Sequence, residues 1–198
     1  MTIRVVLATH NAGKRREWSS LLDALDIELV LPEELGIHDP VDETGATYEE
    51  NALLKARALA RLTGLPALAD DSGLEVDALG GAPGIHSARF RPGPDVVRYR
   101  ALLDALADVP EKARTARFRC WAALAMPDGR TFTAEGICEG VITRLPAGDL
   151  GFGYDPVFRL PEMGQTMAEL TFEVKNQVSH RARAAQALRP TLESVLLP

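Results

Sequence analysis

Cysteine is scarce in this chain, since the 198 residues include only Cys120 and Cys138. The two are far apart and no CxxC spacing occurs, so the pattern of a disulfide-stapled secreted scaffold is absent. Both cysteines stand in segments that have the composition of buried strands. We therefore interpret them as reduced thiols in the core, with a disulfide or a metal ligand as the alternative.

Excess positive charge is also lacking, because 22 basic residues face 28 acidic ones and the net charge is −6. A broad positive surface of the kind that binds nucleic acid or anionic membranes is therefore not expected. No apolar run approaches the roughly 20 residues that span a bilayer, and no signal-like segment follows Met1. We predict a cytoplasmic protein with no nucleic-acid and no membrane partner, in which a local pocket receives any anionic ligand.

Internal repeats and low-complexity linkers are absent, and 46% hydrophobic residues are enough for a core, so we predict one domain over residues 1–198. Periodicity predicts parallel strand–helix units followed by an antiparallel hairpin, hence an α/β fold with a mixed sheet and flanking helices. Pro190 is expected to kink or divide the last helix. The predicted strands are 3–9, 27–31, 65–70 and the hairpin arms 116–126 and 130–138; the predicted helices are 14–25, 47–63, one capped by Asp95, and 179–197.

The segment ATHNAGK, residues 8–14, ends a strand in a polar turn and enters a helix. Backbone N–H groups and the Lys14 ammonium can converge there on an anion. The alternative is an ordinary strand-to-helix turn in which Asn11 caps the helix.

Carboxylates are concentrated in two places, Glu43 in a polar loop and the pair Asp70 and Asp71 after an apolar run. Mg²⁺ is commonly held by one or two carboxylates together with waters and substrate phosphates. The alternative for the aspartate pair is a turn or a helix cap before Ser72 and Gly73.

The segment PAGDLGFGYDPVF, residues 146–158, separates aromatic rings by glycines. Phe152 and Tyr154 could stack on a planar base, or they could fill the core beneath an ordinary loop. Further on, Lys175, His180 and Arg181 place positive charge before and at the start of a helix, where the helix dipole opposes it. A ligand explains that arrangement, while a surface lysine and a capping histidine are the alternative.

Taken together, five blocks in this order resemble the inosine triphosphate pyrophosphatase family, whose members hydrolyse deaminated purine nucleoside triphosphates. The resemblance runs from Ala8 to Ala182 and so covers nearly the whole chain. His10 and Val174 depart from the commonest family pattern. The blocks are ATHNAGK, DETGATYEENALLKA, ADDSGLEVDALGGAPGIHSAR, GFGYDP and SHRA.

The resemblance implies an elongated fold of two lobes around a long mixed sheet, a nucleotide cleft between the lobes, and a homodimer. It implies that Asp71 is the general base, supported by Asp70, and that Glu43 and Asp71 hold Mg²⁺ or Mn²⁺. Implied contacts to the triphosphate are Thr9, His10, Asn11, Ala12, Gly13, Lys14, Lys55 and Ser72. Implied contacts to the rest of the nucleotide are Phe152, Gly153, Tyr154, Asp155, Lys175, His180 and Arg181.

The activity that follows from the resemblance is hydrolysis of ITP, dITP and XTP to a monophosphate and pyrophosphate, which clears them from the nucleotide pool. Asp71 would direct water to the α-phosphorus while Lys14 and the metal ion neutralise phosphate charge. Two alternatives stay open: a nucleotide-binding regulator without turnover, and a pyrophosphatase for other modified nucleotides.

Overall fold

Alternating and β-branched segments form strands, and amphipathic segments form helices, close to the predicted positions. The computed structural model describes residues 2–197. The strands are β1 (Ile3–Leu7), β2 (Ile27–Val30), β3 (Ala67–Val76), β4 (Thr115–Ala125), β5 (Thr131–Ile142), β6 (Phe158–Leu160) and β7 (Gln165–Thr166). The α-helices are α1 (Ala12–Leu22), α2 (Tyr48–Thr63), α3 (Asp95–Ala105), α4 (Phe172–Val178) and α5 (His180–Leu196). Short 3₁₀ helices lie at Pro32–Leu35, Asp77–Leu79, Gly84–Arg89, Glu111–Ala113, Asp155–Val157 and Met167–Glu169.

The strands form one seven-stranded sheet in the order β2-β1-β3-β4-β5-β6-β7. The β1 strand pairs in parallel with β2 and β3, with Ile3 opposite Ile27 and Val6 opposite Ala67. At the other edge, β6 pairs antiparallel with β5 and β7. The predicted mixed sheet with flanking helices is therefore confirmed.

The chain divides into two compact units. Unit 1 comprises the residues up to Asp71, Cys120–Gly136 and the residues from Arg181, and unit 2 comprises Ser72–Arg119 and Ile137–His180. Strands β3, β4 and β5 contribute residues to both units, which is compatible with the single domain predicted over 1–198. That domain, the elongated shape and the nucleotide cleft stay predictions.

In unit 1, the contact of α2 with the sheet is made mostly by small side chains. Thr47 and Glu50 form the predicted capping box at its start, and Gly64 ends it with φ 68°. Its buried face carries alanines that pack with alanines of β3 and β4, so the helix axis can approach the sheet closely. This packing brings the polar residues of α2 to the side of β3. The alanines are Ala52, Ala56, Ala60, Ala67, Ala69, Ala123 and Ala125.

Unit 2 has a separate core of larger side chains, in which Phe118 and Phe158 contact each other with ring centroids 4.5 Å apart. The guanidinium of Arg114 is fully buried there. It donates hydrogen bonds to the carbonyl oxygens of Leu106 at 2.6 Å and of Ile142 at 2.9 Å. Because these carbonyls accept from a cation, a buried charge is stabilised without a carboxylate partner being needed.

Three local predictions were wrong. The aspartate pair is not a turn, because β3 runs through it to Val76. Asp95 is the first residue of α3 and does not cap it; Pro94 occupies the cap position. The α5 helix is not divided at Pro190, since Leu188 and Leu192 are buried on either side of it and hold the helix in place, and a kink at Pro190 stays a prediction.

Other features were confirmed or were not anticipated. Cys120 and Cys138 are buried free thiols, as interpreted. The short elements β6, β7 and α4 were not predicted, because each has seven residues or fewer and little periodicity. Among residues 2–197, none of the helices has the length and apolar character that crossing a membrane would require.

Candidate active site

The two adjacent aspartates of β3 are both buried but have different surroundings. Successive side chains of a strand point to opposite faces of the sheet. Asp70 therefore contacts residues of α1, β4 and α5, whereas Asp71 contacts residues of α2. Because the strand continues through the pair, the two carboxylates lie on opposite faces of the sheet and have different neighbours.

Asp70 is surrounded by donors within unit 1. Its carboxylate accepts from the Trp18 indole at 3.1 Å, from the Lys14 ammonium at 2.9 Å and from the Arg181 guanidinium at 3.0 Å. Burial acts to raise the pKa of Asp70, but Arg181 and Lys14 outweigh it and hold that pKa well below its usual value. Asp70 is thus a permanently charged anchor for Lys14 and a poor proton acceptor.

Asp71 has the opposite electrostatic balance. Its Oδ2 accepts from the Asn51 amide at 3.1 Å, and its Oδ1 lies 4.0 Å from the Lys55 ammonium. Burial raises the pKa of Asp71 even though Lys55 and Lys14 act to lower it, and nearby Glu43 raises it further. A carboxylate with a raised pKa is a stronger base, so of the two aspartates Asp71 is suited to accept a proton.

Lys55 connects the two carboxylates that the resemblance assigns to the metal. Its ammonium donates to Glu43 Oε1 at 2.6 Å and to the Asp70 carbonyl at 2.8 Å, and it faces Asp71. The structure therefore brings Glu43, Lys55 and Asp71 together, as predicted for a shared site.

At the 9–14 segment the capping interpretation is confirmed, and the anion site stays a prediction. Asn11 caps α1, accepting the Lys14 N–H at 3.0 Å, and Thr9 accepts the Asn11 N–H at 3.2 Å. The Lys14 side chain nevertheless leaves the helix and reaches Asp70. Ala12 and Gly13 form the first turn, where N–H groups lack intrahelical partners. His10 is exposed at the start of this turn.

In unit 2, the 152–155 segment is organised around the buried Asp155. Its carboxylate accepts from the Lys175 ammonium and from the Phe152 N–H at 2.9 Å. The Lys175 ammonium also lies 4.7 Å from the centroid of the Phe152 ring. The Gly153 N–H donates to Asp95 at 2.7 Å, so a residue of α3 fixes the segment from outside.

Tyr154 follows the alternative interpretation, in which an aromatic residue fills the core. Its ring is 4% exposed and belongs to the core of unit 2, and its hydroxyl donates to the Ser87 carbonyl at 2.9 Å. Burial raises its pKa to about 12. Phe152 is half-buried, so for this ring stacking on a base stays a prediction.

The expected basic cluster of Lys175, His180 and Arg181 is split. The His180 ring stacks on Phe118, with centroids 4.7 Å apart and planes inclined by 16°. Arg181 is 1% exposed and pairs within unit 1 with Asp70 and with the buried Glu17. Its guanidinium is therefore engaged by two carboxylates, and its predicted role as a nucleotide contact gains no support from these contacts.

Ser72 follows Asp71 in β3 and is half-buried.

A family model supplies the decisive comparison, since the Ham1 family matches residues 5–191. The chain belongs to the Ham1 family. A dITP/XTP pyrophosphatase of Symbiobacterium thermophilum is 51% identical, covering 98% of this chain and 96% of that protein. A dITP/XTP pyrophosphatase of Shigella flexneri is 50% identical, covering 96% and 98% respectively.

A solved structure agrees with this assignment. The structure of a HAM1 protein from Coxiella burnetii has a TM-score of 0.88 and 41% identity, and the match covers 98% of this chain and all of that one. The family resemblance seen in the sequence is thereby confirmed, and so is the α/β fold class.

For this Ham1 family member, the donor chemistry at Glu43 and Asp71 fits a hard divalent cation. Both supply carboxylate oxygens; burial raises the pKa of Asp71 and the nearby charge of Glu43 adds to that effect, which a bound cation would offset. Among residues 2–197 no group of three or more histidine, cysteine or acidic side chains could hold a metal ion. Mg²⁺ in proteins is usually held by one or two carboxylates together with water and substrate phosphate oxygens.

Sequence reasoning missed two buried polar residues of the Ham1 family fold, Asn51 and Glu17. Asn51 lies four positions before Lys55 on α2, and residues four apart share a helix face. That spacing could have revealed it as a neighbour of the carboxylates. Glu17 precedes Trp18 on α1 and carries no comparable signal, because its partner Arg181 is 164 positions away.

Proposed function

We propose that this chain hydrolyses deaminated purine nucleoside triphosphates (ITP, dITP and XTP) to the monophosphate and pyrophosphate. The observation that carries the proposal is the buried Asp71, held by Asn51 and faced by Lys55 and Glu43. It stands in a chain that matches dITP/XTP pyrophosphatases along nearly its whole length. A role in clearing such nucleotides from the pool, in the cytoplasm, belongs to the same proposal.

In the reaction, Asp71 accepts a proton from a water molecule while the oxygen of that water attacks the α-phosphorus. A new P–O bond forms, the bond from the α-phosphorus to the bridging oxygen breaks, and pyrophosphate leaves with the electron pair. Asp70 is unsuited to this step, because its carboxylate is occupied by Arg181, Lys14 and Trp18. Lys14 and Lys55 supply positive charge to the phosphates, and charge-assisted contacts of this kind are strong.

Glu43 and Asp71 would hold Mg²⁺ or Mn²⁺, which neutralises phosphate charge when bound. A bound cation would add to the charge of Lys55 in offsetting the repulsion between these two acidic side chains and an anionic substrate. Excess EDTA is expected to abolish turnover, and added Mg²⁺ is expected to restore it. Full activity in excess EDTA would contradict the metal requirement.

Base selectivity depends on the atom at C6, which is oxygen in hypoxanthine and xanthine and an amino group in adenine. A protein donor that the bound base buries stays unpaired if it faces the amino group of adenine. Each such unpaired donor costs about 1–3 kcal/mol of binding free energy. The Phe152 and Gly153 N–H groups already donate to Asp155 and Asp95. We propose that the Phe152 face stacks on the base and that Lys175 and His180, which the family resemblance implies as nucleotide contacts, supply the polar contacts.

The test is chromatographic identification of products from ITP, dITP, XTP, ATP and GTP, each with and without Mg²⁺. We expect a monophosphate and pyrophosphate, with kcat/KM for the first three at least about a hundredfold above ATP and GTP. Binding of ITP without any turnover would indicate a regulator instead. Because GTP also carries oxygen at C6, its rejection must come from its 2-amino group, which would meet a steric wall or a place without an acceptor; equal hydrolysis of GTP and ITP would overturn this selectivity.

A further inference from the structure

Asn51 is fully buried on α2 and makes a hydrogen bond at each end of its amide. Its Nδ2 donates to Asp71 Oδ2 at 3.1 Å, and its Oδ1 accepts the Gly45 N–H at 2.8 Å. Since a backbone N–H can only donate, the Gly45 contact determines which amide atom is the oxygen. The nitrogen, and hence a donor, must then face Asp71.

Gly45 is packed directly against this amide. A Cβ added at Gly45 would lie 2.8 Å from Asn51 Oδ1 and 2.7 Å from the Glu50 Cβ. Both distances are shorter than non-bonded contacts of a Cβ atom in proteins. Gly45 follows Glu43 by two residues. The loop that carries Glu43 is thus held against Asn51 by the Gly45 hydrogen bond. This close packing is possible because Gly45 has no side chain.

We propose that Asn51 is a positioning residue, which holds Asp71 and the Glu43 loop in one arrangement through the two ends of its amide. Asn51 directs Asp71 Oδ2 toward itself and so presents Oδ1 on the side of Lys55. The inference rests on the proposed function, because it assigns to Asn51 the orientation of the base in that reaction. It does not rest on a change in protonation.

Two substitutions separate the two ends of the amide. Asn51→Asp keeps an acceptor for the Gly45 N–H but replaces the donor toward Asp71 with a carboxylate oxygen. The two acids then repel each other or share a proton, and in either case Asp71 is lost as an oriented base. Asn51→Leu has nearly the same shape and removes both hydrogen bonds.

The experiment measures kcat and KM for dITP together with amide hydrogen exchange of Gly45 by NMR. For Asn51→Asp we expect kcat to fall about tenfold to a hundredfold, KM to change less than about threefold, and Gly45 exchange to stay near that of the wild type. For Asn51→Leu we expect the same loss of kcat and faster Gly45 exchange. The matched control is Thr63→Val, which removes a side-chain hydrogen bond to Leu59 from the same helix and should leave kcat unchanged.

Gly45→Ala provides a third variant that does not alter Asn51 itself. The added methyl group must displace the amide or the loop, so kcat should again fall more than KM rises. If Asn51→Leu does not fold, Asn51→Asp and Gly45→Ala decide the matter. A kcat within about twofold of the wild type in either of these two would overturn the inference. An inactive wild type would instead refute the proposed function, while Gly45 exchange would still report the contact with Asn51.

Discussion

At the scale of single residues, neighbouring groups of the same type acquire different chemistry from their contacts. Asp70 is held charged by Arg181 and Lys14, so its pKa is lowered, whereas burial raises the pKa of Asp71. The pair was identified from the sequence, and Asp71 was chosen from it by family resemblance. The contacts give that choice a physical basis, because burial raises the pKa of Asp71 whereas Arg181 and Lys14 lower that of Asp70.

Asp71→Asn keeps the shape of the side chain and removes its basic oxygen. We expect kcat for dITP to fall by about a hundredfold or more, with thermal stability close to that of the wild type. Steady-state kinetics with pyrophosphate detection would measure the effect. Asp128→Asn, an exposed turn position, serves as the control for the same chemical change. Near-normal turnover by Asp71→Asn would remove Asp71 from the mechanism.

Arg181→Ala tests the buried ion pairs of unit 1. Removing the guanidinium leaves Asp70 and Glu17 buried with less compensation, and such a loss typically costs about 3–5 kcal/mol. Urea unfolding should show a decrease of that size in the free energy of unfolding. Arg189→Ala on the same helix breaks only an exposed pair with Glu193 and should cost no more than about 0.5 kcal/mol. A normal stability combined with altered base selectivity would favour the nucleotide contact predicted from the sequence.

At the scale of elements, the 152–155 segment is a glycine-containing loop whose conformation is held by side-chain contacts. Asp155 and Asp95 accept hydrogen bonds from its backbone, Lys175 pairs with Asp155, and Tyr154 anchors the segment in the core of unit 2. Gly151 has φ 78°, and a Cβ there would lie 2.1 Å from Asp155 Oδ2. The glycine is therefore required for the close approach of the backbone to Asp155, and the Phe152 ring is presented from a fixed support.

Tyr154→Phe tests that anchor through its dependence on pH. The pKa of Tyr154 is raised to about 12 by burial, against about 10 in the unfolded chain. The unfolded state thus ionises first, and the contribution of neutral Tyr154 to stability is complete below pH ~10 and is lost as pH rises toward ~12. We expect Tyr154→Phe to be less stable by about 1 kcal/mol at neutral pH, through loss of the Ser87 hydrogen bond.

The difference between wild type and Tyr154→Phe should then narrow as the pH is raised through this alkaline range, because phenylalanine cannot ionise. Urea unfolding of both proteins at neutral and alkaline pH measures it. A difference that stays constant with pH would show that Tyr154 does not keep its proton in the folded state.

At the scale of the whole molecule, the packing of each unit explains where its functional residues lie, but no contact among residues 2–197 bears on assembly. The homodimer rests on family resemblance alone and we keep it as a prediction. Static light scattering at micromolar concentration should give about twice the chain mass of 21.5 kDa. A mass equal to that of one chain would contradict it.

The sequence by itself determined the local elements and the family. The Asn11 cap, the Thr47–Glu50 capping box and the hairpin around 127–129 were predictable because each depends on residues a few positions apart. The candidate site residues follow from the five blocks that resemble the family, and their roles stay predictions. Short elements such as β6 and β7 escaped prediction because so few residues carry no clear period.

Only the tertiary structure decided which partner each polar side chain has. Asp70 meets Arg181 across 111 positions, and Asn51 meets Asp71 across 20. It also decided that β3 continues through the aspartates, that Pro190 stays within a helix and that Tyr154 enters the core. The physical reason is that burial and charge pairing depend on contacts between distant segments, and these contacts override the local preferences that a sequence pattern records.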